Sequence, residues 1–248
     1  MPLMDHIGEL RRRIVQIVVS MLISICVLYS LTPWIVDFLI QPIQDYLPNG
    51  LEGLVLTGPF EGFSLKFLIA AFAAVVVCSP LIFWEILAFF LPALKPKERR
   101  FVVPTFFIAI ALFGMGMTFC YCFGLAPAFE FLIGESSSLG TVFPVASDYL
   151  KFIILFLIAF GVAFELPVVV FYLIIFDIIS YRKMRANWRY IYIALLVLSA
   201  VVTPDASPVT MGILFAALLA LYEISLLMAR IVLAHKIKRQ REAEEDED

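Results

Sequence analysis

The sequence has little charge: only 16% of its 248 residues are Asp, Glu, Lys or Arg, whereas 62% are hydrophobic. Soluble domains carry about 25% charged residues, and about half of their residues are apolar. The mean hydropathy of +0.99 is correspondingly high. These values exclude an ordinary soluble domain and predict an integral membrane protein whose surface is mostly surrounded by lipid.

Residues that carry enzyme and metal chemistry are also scarce. His6 and His235 are the only two histidines, and both flank apolar runs without a metal-ligand spacing. The sequence contains no G-x-S-x-G, no H-E-x-x-H and no phosphate-binding P-loop. All four cysteines lie inside apolar stretches, as buried structural cysteines do. We therefore expect no enzyme activity, no cofactor, no metal and no nucleic-acid partner.

Six apolar runs with few or no charged residues are present. They lie at 14–32, 67–92, 101–126, 150–176, 190–203 and 208–230. Backbone N–H and C=O groups in hydrocarbon must be paired within a segment, and no run alternates like a transmembrane β-strand. The pattern predicts an all-α membrane protein with six transmembrane helices in a single domain, 1–235, and a charged tail, 236–248.

The positive charges are segregated between the loops, and positively charged loops stay on the cytoplasmic side of a membrane. With six helices, 16 of the 18 basic residues fall on one side. Only Lys66 and Lys151 fall on the other side, each at the start of a span. We therefore expect both termini, and the acidic tail, on the cytoplasmic side.

The fifth apolar run is short. The 13 or so residues from Tyr190 to Val202 make about 20 Å of helix, whereas the hydrocarbon core is about 30 Å thick. Such mismatch is relieved by local thinning of the bilayer or by packing against partners. We expect the fifth helix, and with it the sixth, to be short.

Three glutamates lie inside the apolar runs, where an ionised group is costly. They are Glu85, Glu165 and Glu223, and Glu165 is followed by Pro167, which favours a kink. One interpretation is a protonated carboxyl that makes a hydrogen bond between helices. The other is a polar spot that meets a substrate or a partner helix.

Two further glutamates lie among arginines at the expected cytoplasmic surface. They are Glu9, before Arg11–Arg13, and Glu98, before Arg99 and Arg100. Either could be an ordinary surface ion-pair member. A pair of carboxylates near lipid headgroups could also bind a cationic ligand, because a guanidinium matches a carboxylate bidentately.

Four separate stretches of the chain resemble, in order, motifs of one protein family. Residues 6–13 read HIGELRRR, and residues 160–167 read FGVAFELP. Between them lie the family-like positions Ser79, Pro80, Phe89, Pro92, Leu94, Glu98 and Arg99. Thr-Pro-Asp at 203–205 and Leu-Tyr-Glu at 221–223 follow. The order and the six-helix topology resemble the TatC family of the twin-arginine protein export pathway.

The resemblance implies a core receptor subunit in a prokaryotic cytoplasmic membrane. Its partners would be twin-arginine signal peptides of folded cargo proteins, single-span TatA and TatB proteins, and further copies of itself. Export would be driven by the proton-motive force. By position, the signal peptide would be bound by Glu9, Arg12, Phe89, Pro92, Leu94 and Glu98.

Other functional positions are also implied by the resemblance. Glu165 would face a membrane-embedded polar cavity, and Thr203, Pro204 and Asp205 would contact a partner helix together with the fifth helix. Glu85 departs from the family pattern, which often has Gln at this position. We therefore do not include Glu85 among the predicted binding residues.

Two other functions are consistent with the residues alone. A proton-coupled small-solute transporter would use Glu165 as its proton carrier, although no internal inverted repeat is apparent. A membrane scaffold without a ligand would have Glu9 and Glu98 paired only with adjacent arginines.

Overall fold

The computed structural model describes residues 3–47, 53–91, 99, 102–137, 140, 143–175, 178–203, 207–232 and 234. Throughout these residues the chain is helical, with short connecting turns. A single parallel bridge between Val55 and Val145 joins two of the connecting segments. The all-α fold class is confirmed.

Ten α-helices lie in the described residues. They are α1 Leu3–Leu28, α2 Thr32–Ile40, α3 Pro59–Phe90, α4 Val102–Phe119, α5 Leu125–Ser137, α6 Ala146–Ala163, α7 Leu166–Ile175, α8 Tyr181–Ala186, α9 Trp188–Val202 and α10 Pro208–Val232. Several of them join end to end, so ten helices make fewer passes.

Five continuous helical segments are long and apolar enough to cross a membrane. They are Gly8–Tyr46, Pro59–Phe89, Val102–Ser137, Ala146–Ile174 and Pro208–Ile231. The shorter apolar helix Trp188–Val202 is the sixth element of this kind. Six helices in the predicted order are therefore present.

The structure corrects one expectation, that the sixth helix is short. Helix α9 has 15 residues, or about 22 Å, and α10 has 25 residues, or about 37 Å. Among the six apolar segments in the described residues, α9 alone is shorter than a bilayer core of about 30 Å. The apolar run at 208–230 forms one uninterrupted helix, and Glu223 within it pairs with Arg185.

Several of the long segments contain breaks. A 3₁₀ turn at Tyr29–Leu31 joins α1 to α2, and a π-helical turn at Cys120–Gly124 joins α4 to α5. Helices α6 and α7 meet at Phe164 and Glu165, just before Pro167, which lacks a backbone N–H. Proline and π-turns are the usual causes of such kinks.

Helix α6 is the centre of the bundle, and α4 crosses it very closely. Phe156 and Phe160 of α6 are fully buried. At the crossing, a Cβ on Gly116 would lie 2.7 Å from the Phe160 carbonyl oxygen, and one on Gly161 would lie 2.7 Å from the Phe113 ring. Small residues permit this backbone approach, as they commonly do between membrane helices.

Helix α1 lies at the edge of the bundle, antiparallel to α3. In its most apolar stretch, no residue is buried against the rest of the chain. Two polar contacts attach it to α3: Ser24 to Cys78, at 3.2 Å, and Arg13 to Glu85. The second of these contacts lies at the centre of the candidate site.

Candidate functional site

A cluster of three charged side chains joins the start of α1 to the end of α3. Arg13 donates from Nε and Nη2 to Glu9 Oε1, at 3.2 and 2.5 Å. Its Nη1 donates to Glu85 Oε2 at 2.6 Å. We call Glu9, Arg13 and Glu85 the Arg13 cluster.

The geometry of the two helices builds the Arg13 cluster. Glu9 and Arg13 are four residues apart on α1, so their side chains share one face. Glu85 comes from the antiparallel helix α3, 72 residues later. The side chains of Glu9, Arg13 and Glu85 are 29%, 20% and 11% exposed, so the cluster is sheltered with Glu9 its most open member.

The Arg13 cluster holds two carboxylates for one guanidinium, which leaves one formal negative charge. Charge-assisted bonds between carboxylate and guanidinium are short and strong, and partial burial strengthens them further. The arrangement is therefore suited to binding a second cationic group, and it already shows that Glu9 accepts a guanidinium.

An apolar side chain continues this surface along α3. Phe89 lies four residues after Glu85, so the two occupy the same face of the helix, and Phe89 is half-buried. Arg12 lies next to Arg13 on α1 and is exposed. Of the predicted signal-peptide residues, Glu9, Arg12 and Phe89 are described.

The remaining predicted signal-peptide residues are Pro92, Leu94 and Glu98. They lie outside the described residues, in the segment 92–98 between α3 and α4. The sequence did not predict the contact of Glu85 with the cluster. The sequence feature that could have indicated Glu85 is its spacing, because it lies one helical turn before the predicted site residue Phe89.

Glu165 lies at the junction of α6 and α7, in the interior of the fourth long segment. Its backbone carbonyl accepts from Val168 N and Val169 N, at 3.0 and 3.2 Å, and thereby starts α7. Its carboxyl Oε1 is buried and has no hydrogen-bond partner among the described residues. A cavity of about 290 Å³ lies beside the start of α7 and is lined in part by Pro167, Val168 and Phe171.

The turn between α9 and α10 is described only at its ends. Thr203 is 4% exposed, and its hydroxyl donates to Ser199 O at 2.8 Å, which ends α9. Pro204 and Asp205 lie outside the described residues. The Thr203 side chain is therefore bound to the last turn of α9.

A second ionic contact holds the other end of α9. Arg185 Nη1 donates to both carboxylate oxygens of Glu223, at 2.9 and 2.8 Å, and the Tyr192 hydroxyl donates to Glu223 Oε1 at 2.7 Å. The hydrogen bond to Glu223 raises the pKa of the Arg185 guanidinium above its ordinary value. Sequence reasoning left the role of Glu223 open, and the structure places it as the link between α8, α9 and α10.

The geometry offers ionic and apolar contacts rather than a reactive centre. Over the described ranges, no group of three or more His, Cys, Asp or Glu side chains could hold a metal ion. Cys26, Cys78, Cys120 and Cys122 are not joined by disulfides. Binding of a charged ligand is thus the chemistry for which the Arg13 cluster is best suited.

Comparison with known proteins assigns the chain to a family. The family described as Sec-independent protein translocase protein (TatC) matches residues 5–216. A TatC from Deinococcus radiodurans is 32% identical over 232 residues, covering 93% of this chain and 86% of that protein. One from Carboxydothermus hydrogenoformans is 30% identical over 241 residues, covering 97% and 98%.

The fold agrees with the sequence comparison. A crystal structure of the twin arginine translocase receptor TatC, in the detergent DDM, superposes with a TM-score of 0.74 and 27% identity, over 90% of this chain and 99% of that one. The match favours a protein translocase over a small-solute transporter, and it identifies a transport component rather than an enzyme. With six apolar helices in a common order and relatives aligned over nearly its whole length, this chain belongs to the TatC family of Sec-independent protein translocase proteins.

Proposed function

We propose that this chain is the receptor subunit of a twin-arginine translocase and binds the paired arginines of export signal peptides at the cytoplasmic membrane surface. With TatA and TatB partners, it moves folded proteins across the inner membrane, driven by the proton-motive force. Its helices form one membrane domain, 1–235, and further copies of the chain associate in the receptor complex.

One observation carries this proposal: Glu9, in a chain of this family, already accepts a guanidinium at 2.5 Å in a sheltered position. An arginine of a signal peptide offers the same planar donors as Arg13. Glu98 supplies the second carboxylate, so that two arginines meet two acidic groups.

Apolar contacts complete the peptide site. Phe89 shares a face of α3 with Glu85, so an apolar surface begins one helical turn from the charged cluster. Pro92 and Leu94, which follow α3 in the sequence, are proposed to add apolar contacts to the peptide, and Arg12 is exposed beside Arg13 on α1. A signal peptide combines basic residues with an apolar stretch, and this order of charged and apolar groups complements it.

The positive charges support the orientation. Arg11–Arg13, Arg99 and the arginines and lysines of α8 lie at ends of helices that a six-pass topology brings to one side. Lys- and Arg-rich loops remain cytoplasmic. We therefore place the Arg13 cluster and both termini on the cytoplasmic side of the inner membrane.

A partner helix is proposed to pack on α9. Tyr190, Ile193, Val197 and Val201 recur at spacings of three and four, and are 76%, 59%, 57% and 76% exposed. They form one apolar stripe on α9, the shorter apolar helix found in the described residues. A TatA- or TatB-type helix covers this stripe, next to the Thr203, Pro204 and Asp205 turn, and relieves the mismatch of α9 with the bilayer.

Glu165 is proposed to serve as the polar group of a membrane-embedded cavity. A buried carboxyl oxygen without a partner costs free energy unless another group satisfies it. A polar group of an inserted signal peptide or of a partner helix would supply the missing hydrogen bond.

Photocrosslinking tests the receptor function. A photoreactive phenylalanine analogue at position 89 is expected to capture a twin-arginine signal peptide. It is expected to capture the twin-lysine counterpart at least about tenfold less, because lysine lacks the bidentate fork.

Glu98→Ala is expected to weaken peptide binding while membrane insertion is retained. Glu130→Ala, which removes an exposed carboxylate on α5, is the matched control. Equal capture of both peptides, or full binding by Glu98→Ala, would overturn the proposal.

A further inference from the structure

Arg13 is shared between two carboxylates that differ in depth and exposure. Both of its bonds to Glu9 converge on one oxygen, Oε1. The bond to Glu85 uses the separate nitrogen Nη1, at 2.6 Å. Because a guanidinium fork can serve one carboxylate with two parallel bonds, this divided arrangement leaves Glu9 less completely satisfied than a bidentate pair would.

The charge balance of the cluster depends on Glu85. With Glu9 alone, Arg13 would form a neutral pair of the kind found along many helix surfaces. Adding the Glu85 carboxylate leaves one negative charge. The Glu85 carboxylate of α3 therefore makes the Arg13 cluster net negative, and so better able to attract a further cation.

Exposure determines which carboxylate an arriving ligand can reach. The Glu9 side chain is 29% exposed, whereas that of Glu85 is 11% exposed. Glu9 is thus the accessible acceptor, and Glu85 the sheltered one. Arg13 can leave Glu9 without becoming an unpaired buried charge, because its bond to Glu85 remains.

We propose that Arg13 is a resident guanidinium that an arginine of the signal peptide displaces from Glu9, and that Glu85 receives Arg13 when this happens. Glu85 is then a specificity-determining residue of the receptor site, although it does not touch the peptide. The inference rests on the proposed function and adds an exchange step: one guanidinium leaves the Glu9 carboxylate as another binds.

The exchange also favours arginine over lysine. An incoming group must replace two N–H donors on Glu9, and a guanidinium supplies a matching fork whereas an ammonium is a single compact charge. Competition with the resident Arg13 therefore weakens lysine-containing peptides more than it weakens arginine-containing ones.

The test measures binding of a fluorescent twin-arginine signal peptide to the full chain in lipid nanodiscs, with a twin-lysine peptide in parallel. Glu85→Gln keeps the shape of the side chain but removes its charge, and is expected to weaken twin-arginine binding about tenfold. Glu85→Asp, which keeps the charge, is expected to bind at least about threefold more tightly than Glu85→Gln. Glu130→Gln on α5 is the control and should match the wild type.

Removing the resident group distinguishes exchange from simple support of Glu9. In the Glu85→Gln background, Arg13→Gln frees Glu9 and is expected to restore binding to within about threefold of the wild type. If Arg13 only positions Glu9, this double variant will bind no better than Glu85→Gln. Should the double variant fail to fold, Glu85→Gln and Glu85→Asp still decide, because wild-type affinity in Glu85→Gln contradicts the exchange.

The two proposals fail in different ways. If the wild type does not prefer the twin-arginine peptide, both the receptor function and the exchange are contradicted. If the wild type shows the preference but Glu85→Gln binds equally well, only the exchange is overturned.

Discussion

Glu85, Glu165 and Glu223 all lie within apolar helices, yet the chain treats them differently. Glu85 pairs with Arg13 and Glu223 pairs with Arg185, and both arginines come from a neighbouring helix. Glu165 lies at a helix junction, and its Oε1 has no partner in the described part of the chain. An unpaired carboxyl at membrane depth is a candidate for function, whereas a paired one also has a structural role.

The glycines at the α4/α6 crossing give a residue-scale prediction. Gly116→Ala places a Cβ 2.7 Å from the Phe160 carbonyl oxygen and is expected to destabilise the folded chain by about 1–3 kcal/mol. Gly114→Ala on the same helix meets nothing within 4 Å and is expected to be neutral or slightly stabilising. Thermal unfolding of the purified chain in detergent measures both. Equal melting temperatures for the two variants would contradict the close crossing.

The short helix α9 is fixed at both ends by the rest of the chain. Its first turns are held through Tyr192 and the Arg185–Glu223 pair, and its last turn is closed by Thr203 on Ser199. Packing on α10 supports its length. These contacts fix the position of α9 relative to the other helices. Its exposed apolar stripe is therefore held at a fixed depth in the membrane.

Loss of the Glu223 contacts is predicted to loosen α9. Glu223→Gln removes the ion pair and weakens the Tyr192 hydrogen bond, so amide hydrogen exchange at the start of α9 is expected to become about fivefold faster. Tyr192→Phe removes one bond only and should have a smaller effect. Exchange in α4 is the internal control. Unchanged exchange in Glu223→Gln would show that α9 is held by packing alone.

The whole molecule is organised by the sidedness of its charge. Lys66 and Lys151 are the basic residues assigned to the outer side, and the remaining basic residues are assigned to the inner side. In the proposed orientation, the Arg13 cluster lies at the cytoplasmic ends of α1 and α3, and the α8 arginines lie beside the cytoplasmic end of α9. Peptide binding and the attachment of α9 are therefore expected at the same membrane face.

Cysteine accessibility tests this orientation. A thiol introduced by Ser136→Cys, at the exposed end of α5, should react with a membrane-impermeant maleimide in intact spheroplasts. Lys183→Cys, exposed on α8, should react only after permeabilisation. The unsubstituted chain is the control, because Cys26 and Cys122 are exposed and any labelling of the native thiols is measured with it. The reverse labelling pattern would place the Arg13 cluster outside the cell.

The sequence alone was sufficient for the all-α class, the six apolar helices and Glu9 as a ligand candidate. The reason is that hydrocarbon requires each crossing segment to pair its own backbone, so charge-poor runs predict helices without knowledge of the neighbours. The length of the fifth charge-poor run predicts the shortness of α9 in the same way. The motifs at 6–13 and 160–167 likewise identified Glu9 and Glu165 as candidate residues, through their resemblance to a family.

Only the tertiary structure decided which charges meet. Arg13 and Glu85 are 72 residues apart and Arg185 and Glu223 are 38 apart, so their pairing depends on which helices are neighbours and at what depth. The closeness of α4 to α6 depends on packing in the same way. Helical periodicity gives the face of a side chain, but the partner on that face is determined by the assembled bundle.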